Sequence, residues 1–424
     1  MEGSSSLQTA IVSVNPAMTS FVSSLYWSLP TPRSFVERVQ SHAKACRATV
    51  LSFRRHLMPG TWDGVKEGLR AADVLYKEIS IGDGTDIALE IAPHLECSAA
   101  TPLVLAQLRA NHLVAVLLRP RSEMARQRCD DYFAHFLREV EHSAGSVHLF
   151  IEMRDGEQRL DAKGRDVQVL TFDGALSPDE MAAYVGIRML GREGPGSTRL
   201  LRALVYEYAG FDARLAERLI ALTDSEILSL PGSLGPLLEE EPLRWSASSW
   251  AHGTHATIDG HEARHPLHEW HLALHKGHFQ DEARRASQKR YWRASVQALT
   301  PWLEERRGSV LEVFKKPIDE VLAVTGGKIQ KVLQSGKTVE IDRSEIDYNT
   351  LVGFAHYQGL RIPFDPISQR AFGVCKLAKC VRDDLAHLRA PKLQDISSLI
   401  SETDGLLDDI AEKRQFRSWS EPSK

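Results

Sequence analysis

The sequence predicts a multidomain protein: an N-terminal α/β domain on a parallel sheet without a P-loop, a helical middle region, and a C-terminal all-α bundle. Three observations carry this. Short apolar, β-prone runs alternate with helical patterns to about residue 175, the arrangement of successive βα units. From Ser177 the apolar spacing turns helical, and beyond about residue 266 it stays helical to about 415. The boundaries read as 1–45 for an N-terminal segment and lead-in helix, 46–176 for the α/β domain, 177–265 for a helical lid and long connection, and 266–424 for the all-α domain.

Each element has its own signal. Ala48–Phe53 is a short β-prone run, followed by the loop Pro59-Gly60 and a helix over Val65–Ala72. Val74–Ile81 alternates like a strand before Gly82-Asp83-Gly84. Thr101–Asn111 reads as helix, and His112–Leu118 as a nearly all-apolar strand, the pattern of a central parallel strand covered on both faces. Glu123–His142 is a long amphipathic helix, and Ser146–Met153 and Asp166–Phe172 supply two more strands. Ser177-Pro178-Asp179-Glu180 opens the helical region, with Ser as N-cap and Pro at the first helical position. Residues 231–265 read as a long connection. The C-terminal helices are punctuated at Pro301, Pro317, Gly326-Gly327 and Pro363–Pro366.

Composition narrows the function classes. The chain has 424 residues, 43% of them hydrophobic, and Lys+Arg 52 against Asp+Glu 56 leaves a formal charge of −4. A wholesale polycation is excluded, so nucleic-acid binding would need a local basic patch. Five cysteines without a CxxC pair match a reducing compartment without a disulfide framework. No apolar run approaches the roughly 18 residues of a membrane span, and Met1–Ser6 lacks a secretion signal. A cytoplasmic protein with no membrane partner is expected.

At the level of architecture, a parallel α/β domain followed by a small helical lid resembles an AAA+ or STAND-type P-loop ATPase core. A P-loop needs Gly-x4-Gly-Lys-Ser/Thr between the first strand and its helix, where backbone N–H groups and the Lys hold phosphates. The loop here is Arg54-Arg55-His56-Leu57-Met58-Pro59-Gly60-Thr61-Trp62. Gly191–Thr198 spells G-x4-G-S-T but has Ser197 for the Lys, and Gly336-Lys337-Thr338 follows a helix. The expectation is a degenerate core that hydrolyses nothing.

Eight of the 17 histidines fall at 252, 255, 261, 265, 268, 271, 275 and 278. His261-Glu262-Ala263-Arg264-His265 matches the H-E-x-x-H zinc pattern, and His271 and His275 have the i,i+4 spacing of helical metal ligands. Gly260 and Pro266 bracket the first motif, so a polar loop leading into an amphipathic helix, with Leu267, Trp270 and Leu274 inward, is the stronger reading. A metal-dependent hydrolase stands as a minor alternative, and no metal or cofactor is expected. Downstream, Arg284, Arg285, Lys289, Arg290 and Arg293, with Tyr291 and Trp292, form the best RNA-contact patch. Against that, Trp292, Val296, Leu299 and Leu303 also spell a buried stripe with the cations merely solvated.

One motif speaks to chemistry. In Val374–Arg389 the residues Val374, Leu377, Ala378, Val381, Leu385 and Leu388 make an apolar helix stripe, and Arg382, Asp383 and His387 lie off it. At i,i+4 Asp383 can touch and orient His387. An Arg five positions before a His occurs here at His387 and at none of the other histidines. Arg382-Asp383-Asp384-Leu385-Ala386-His387 resembles the Arg-x4-His signature of the HEPN superfamily, over roughly residues 286–415. The family often has Asn after the Arg, and this chain has Asp383.

The resemblance implies an all-helical bundle that cuts RNA without metal. The ribose 2′-OH is the internal nucleophile, His387 works as acid–base or charge stabiliser, and Arg382 binds the scissile phosphate. It also implies a composite site across a homodimer or with a partner protein. The expected function is an RNA endonuclease effector of a prokaryotic antiviral or toxin-type defence system, regulated by the inactive ATPase-like domain. The alternative is a non-catalytic scaffold of such a system.

Overall fold

The computed structural model describes residues 24–53, 58, 60–154, 167–192, 195–230, 234, 255–258, 260–268, 270, 280–327, 329–332, 338–341, 343–357 and 360–420. They form two compact units: Met1–Tyr184 with Gly210–Glu217 and Pro242–His268, and Val185–Ala209 with Arg218–Glu241 and Glu269–Lys424.

The first unit runs α1 (Pro30–Ala45), β1 (Ala48–Phe53), α2 (Thr61–Ala71), β2 (Leu75–Ile81), α3 (Ile87–Ile91), α4 (Pro102–Gln107), β3 (Val114–Pro120), α5 (Glu123–Val140), β4 (Val147–Arg154), β5 (Val167–Phe172) and the start of α6 (Pro178–Arg188). The strands make one parallel sheet in the order β2-β3-β4-β1-β5. β1 is buried along its whole length, as is β3 from Val114 to Leu118, so both read in sequence as unbroken apolar runs. β2 is an edge strand, and its outer half alternates with solvent. Cys129, Phe133 and Phe136 of α5 pack into the core with Val116, Leu118 and Leu149. Each such burial contributes about 1.5–3 kcal/mol for a large side chain. Caps fix the helix starts: Thr101 Oγ1 accepts from the Val104 N–H at 3.3 Å and Ser122 Oγ from Ala125 at 3.1 Å.

Two buried polar side chains of this unit, His148 and Glu180, are paired. His148 on β4 is fully buried, with Nδ1 2.8 Å from the Cys46 carbonyl and Nε2 3.0 Å from Thr49 Oγ1. Desolvation pushes its pKa down to about 4. The α6 start follows the sequence reading, since Glu180 accepts from the Ser177 N–H at 2.8 Å and from the Thr31 hydroxyl at 2.8 Å. Burial pushes the Glu180 carboxyl up, but those bonds outweigh it and hold it below the ordinary range.

The chain continues through α7 (Pro195–Ala209), α8 (Ala213–Ile220), α9 (Asp224–Leu228) and the hairpin β6 (His255–Ile258) and β7 (His261–Arg264). The second unit is helical: α10 (Gln280–Glu312), α11 (Lys315–Val324), α12 (Tyr348–Tyr357), α13 (Pro366–Ala386) and α14 (Leu393–Ser420), with a hairpin β8 (Ile329–Val332) and β9 (Thr338–Ile341). Three local features differ from expectation. The β6–β7 hairpin stands where a connection was expected, β8–β9 interrupts the helical stretch, and Pro301 lies within α10 rather than ending a helix. Pro301 and Gln297 are exposed, so the carbonyl that loses its intrahelical partner is on the solvent side. Among the described residues no helix is long and apolar enough to cross a membrane.

Candidate functional site

α13 carries the Arg-x4-His motif. Asp365 caps it, accepting from the Ser368 N–H at 3.1 Å and the Ser368 hydroxyl at 2.6 Å, which hold its carboxyl below the ordinary range. Ala371, Val374, Cys375, Ala378, Val381 and Leu385 form the buried stripe and pack the helix against α10, α12 and α14. Arg382 and Asp383 lie beside the stripe, half-buried.

The helix ends one residue before His387, which is its C-cap. Leu388 follows in the left-handed region at φ 58°. The Leu388 N–H reaches the Leu385 carbonyl at 3.2 Å and the Arg389 N–H the Asp384 carbonyl at 2.9 Å, the paired bonds of a Schellman close. His387 is exposed, and its ring makes no hydrogen bond to any of the described residues. Asp383, which the spacing offers to His387, instead meets Lys379 Nζ at 2.7 Å.

Arg382 is held by two carboxylates. Its Nη1 is 3.3 Å from Asp347 Oδ2 and its Nη2 3.9 Å from Glu304 Oε1. Asp347 caps α12 by accepting from the Thr350 N–H at 2.7 Å, and Glu304 also pairs with Arg307 Nε at 3.1 Å. Arg382 therefore lies inside an alternating charge chain, Asp347–Arg382–Glu304–Arg307, positioned but neutralised.

The basic segment lies on α10. Arg293 Nη2 meets Glu207 Oε2 at 2.9 Å, and Arg290 Nη1 donates to the Glu207 carbonyl at 2.8 Å, fastening α10 to α7. Burial raises the Glu207 carboxyl above its ordinary range despite both arginines. Arg284, Arg285 and Lys289 are exposed, with Arg285 Nε on the Asp281 carbonyl at 3.2 Å. The buried stripe of α10 is Tyr291, Ala294, Ala298, Leu299, Trp302 and Leu303. Trp292 and Val296 are half-buried. Trp292 Nε1 donates to the Leu385 carbonyl at 2.8 Å, which places this turn of α10 against the last turn of α13. The structure thus brings the basic segment beside the His387 turn.

Among the described residues the histidine cluster forms no metal site, although the His255 and His268 rings stand 5.6 Å apart. His252, His271, His275 and His278 lie outside the described residues, as do loop residues 54–57 and 59 and the Gly336-Lys337 pair. The H-E-x-x-H segment is strand β7 with an exposed His261, so its two histidines are about 13 Å apart along an extended backbone, too far for one ion. His265 is buried. Its Nδ1 accepts from the Leu267 N–H at 3.2 Å, so its Nε2–H donates to Asp212 Oδ2 at 3.3 Å. Among the described residues no three His, Cys, Asp or Glu side chains are grouped to hold a metal. The Gly191–Thr198 lookalike runs into the first turn of α7 and is preceded by helix α6, not by a strand.

No family model matches this sequence, and no curated protein does. Among solved structures, a chain of Drosophila ORC bound to poly(dA/dT) DNA and Cdc6 aligns over 92% of this chain and 71% of that chain. The alignment has 9% identity and a TM-score of 0.28, below the level at which a shared fold is established.

Proposed function

We propose that the protein is a metal-independent RNA endonuclease of the HEPN type, an effector of a prokaryotic antiviral or toxin-type defence system, with the α/β unit as a non-hydrolysing ATPase-like sensor. The observation that supports this best is the free, exposed imidazole of His387 one turn beyond Arg382, beside the turn of α10 that follows Lys289 and carries Arg293. A ribose 2′-OH attacks its own 3′-phosphorus and loses its proton to a base. The bond to the 5′-oxygen breaks, and that oxygen takes up a proton. His387 supplies one of these transfers, and a second motif from another copy supplies the other. Arg382 offers its fork to the phosphate oxygens in exchange for Asp347 and Glu304.

The test compares wild type with His387→Ala on a mixed RNA pool in EDTA. We expect cleavage to fall by about 10²- to 10⁴-fold, the usual weight of general acid–base catalysis. The variant stays folded, because His387 is exposed and outside the helix. Cleavage of equal rate in both proteins would refute the assignment.

A second reading, a non-catalytic scaffold, is favoured by the pairing of Arg382 with Asp347, which ties α13 to the start of α12. It predicts no cleavage by wild type and unchanged partner capture by His387→Ala.

A further inference from the structure

A cavity of about 220 Å³ lies at the carboxyl ends of three parallel strands. Ser80 comes from the end of β2, Arg119 and Pro120 from the end of β3, Glu152 from β4, and Arg121 and Arg126 from the entry and first turn of α5. In open parallel sheets the carboxyl ends of the strands are where ligands sit, and the first turn of a long helix adds partial positive charge. Three arginines in one small cavity is the distinguishing feature.

Their engagement differs. Arg119 is committed: its Nη1 meets Glu78 Oε1 at 2.6 Å, its Nε is 3.8 Å from Glu152 Oε2, and its guanidinium stands 5.7 Å from the Trp62 ring centre. Arg121 is exposed and has no carboxylate partner among the described residues. The Nε of Arg126 is buried with no hydrogen-bond acceptor, and the carboxylate beside it is exposed Glu123 at 3.8 Å. Among the described residues Glu152 is the one carboxylate lining the cavity, and Glu78, Glu123 and Asp83 stand outside it on Arg119, Arg126 and Ser122.

We propose that this cavity holds the phosphate chain of a nucleotide. Guanidinium forks match phosphate oxygens in pairs, and two arginines with unspent donors suit a multiply charged group better than a single carboxylate. The volume fits a diphosphate, leaving the nucleoside at the mouth. Side-chain forks here do what backbone N–H groups do in a P-loop, so the missing Gly-Lys-Ser/Thr sequence is no obstacle. The site lies wholly in the first unit and is independent of the RNase reading.

Titration calorimetry of the full chain with inorganic pyrophosphate and with ATP tests it, against Arg121→Gln, Arg126→Gln and the control Arg128→Gln, on the same helix but off the cavity. We expect saturable binding of at least one ligand, weakened about tenfold by each cavity variant and unchanged in the control. ATP binding tighter than pyrophosphate assigns the nucleoside a contact at the mouth, and equal affinity assigns recognition to the phosphates alone. Arg121 is exposed, so that variant reads binding without a folding defect. No saturable heat with either ligand, or equal binding by all variants, would overturn the proposal.

Discussion

Leu388 carries its backbone in the left-handed region with its side chain 72% exposed, so it suffers the Cβ clash without gaining burial. Replacing it with Gly removes a penalty of roughly 1–2 kcal/mol and returns part of that through unfolded-chain entropy. Leu388→Gly should therefore raise stability by about 0.5–1 kcal/mol in urea unfolding, and a lower midpoint would show that the turn is not strained. His148 makes the opposite case, a residue whose burial becomes a liability in acid. Its folded pKa lies near 4 against an ordinary 6.5, so below pH 6.5 the unfolded chain takes up a proton that the native chain refuses. Stability complete above pH 6.5 should drain as pH falls toward 4, by roughly 3 kcal/mol at 1.36 kcal/mol per pH unit. Glu180, held below its ordinary range, adds a loss of the same sign at lower pH. Unfolding midpoints of wild type and His148→Gln at pH 7 and 4.5 check this: the variant should show the shallower pH slope.

At the scale of the element, the contact that matters is Trp292 on the Leu385 carbonyl, a second donor to the acceptor that the Leu388 N–H already meets at 3.2 Å. Trp292→Phe keeps most of the apolar contact and deletes the donor. It should cost about 1 kcal/mol and quicken amide exchange at His387 and Arg389 over that at Val374. Equal exchange along the helix would show that the indole does not hold the turn. The strands of the parallel sheet were legible because burial on both faces writes them as apolar runs, as in Val114–Leu118. The motif helix was legible for a related reason, its stripe from Val374 to Leu385. The exit at His387 was not, since Leu388 takes the left-handed position without the glycine that announces it. Four-residue strands leave too little period to see, and the signal that the sequence does carry for β6 and β7 is the hairpin dipeptide Asp259-Gly260 between the two. The arginine cavity was hidden because Ser80 and Glu152, which complete it beside the arginines of the Arg119–Arg126 stretch, come from two other strands. Arg119-Pro120-Arg121 after an apolar run reads only as the end of a strand.

At the scale of the molecule, the sheet order sets β1 between β4 and β5, and Ala48 has Leu149 on one side and Val167 on the other. The first strand of this sheet along the chain is thus a central one whose two neighbours arrive last. On the ribosome β1 emerges with both edges open and stays so while over a hundred further residues are made, on the order of ten seconds of synthesis. During that time β2 and β3 can pair with each other, but an apolar, fully buried strand waits beside them with nothing to bond. Nascent chains arrested near residue 140 should therefore be protease-sensitive and engage chaperones, and those arrested beyond residue 230 should be protected at β1. Early protection would mean that β1 finds a temporary partner. The same arrangement makes the newborn chain's vulnerability a property of strand order, fixed by topology and untouched by anything done to Arg382 or His387.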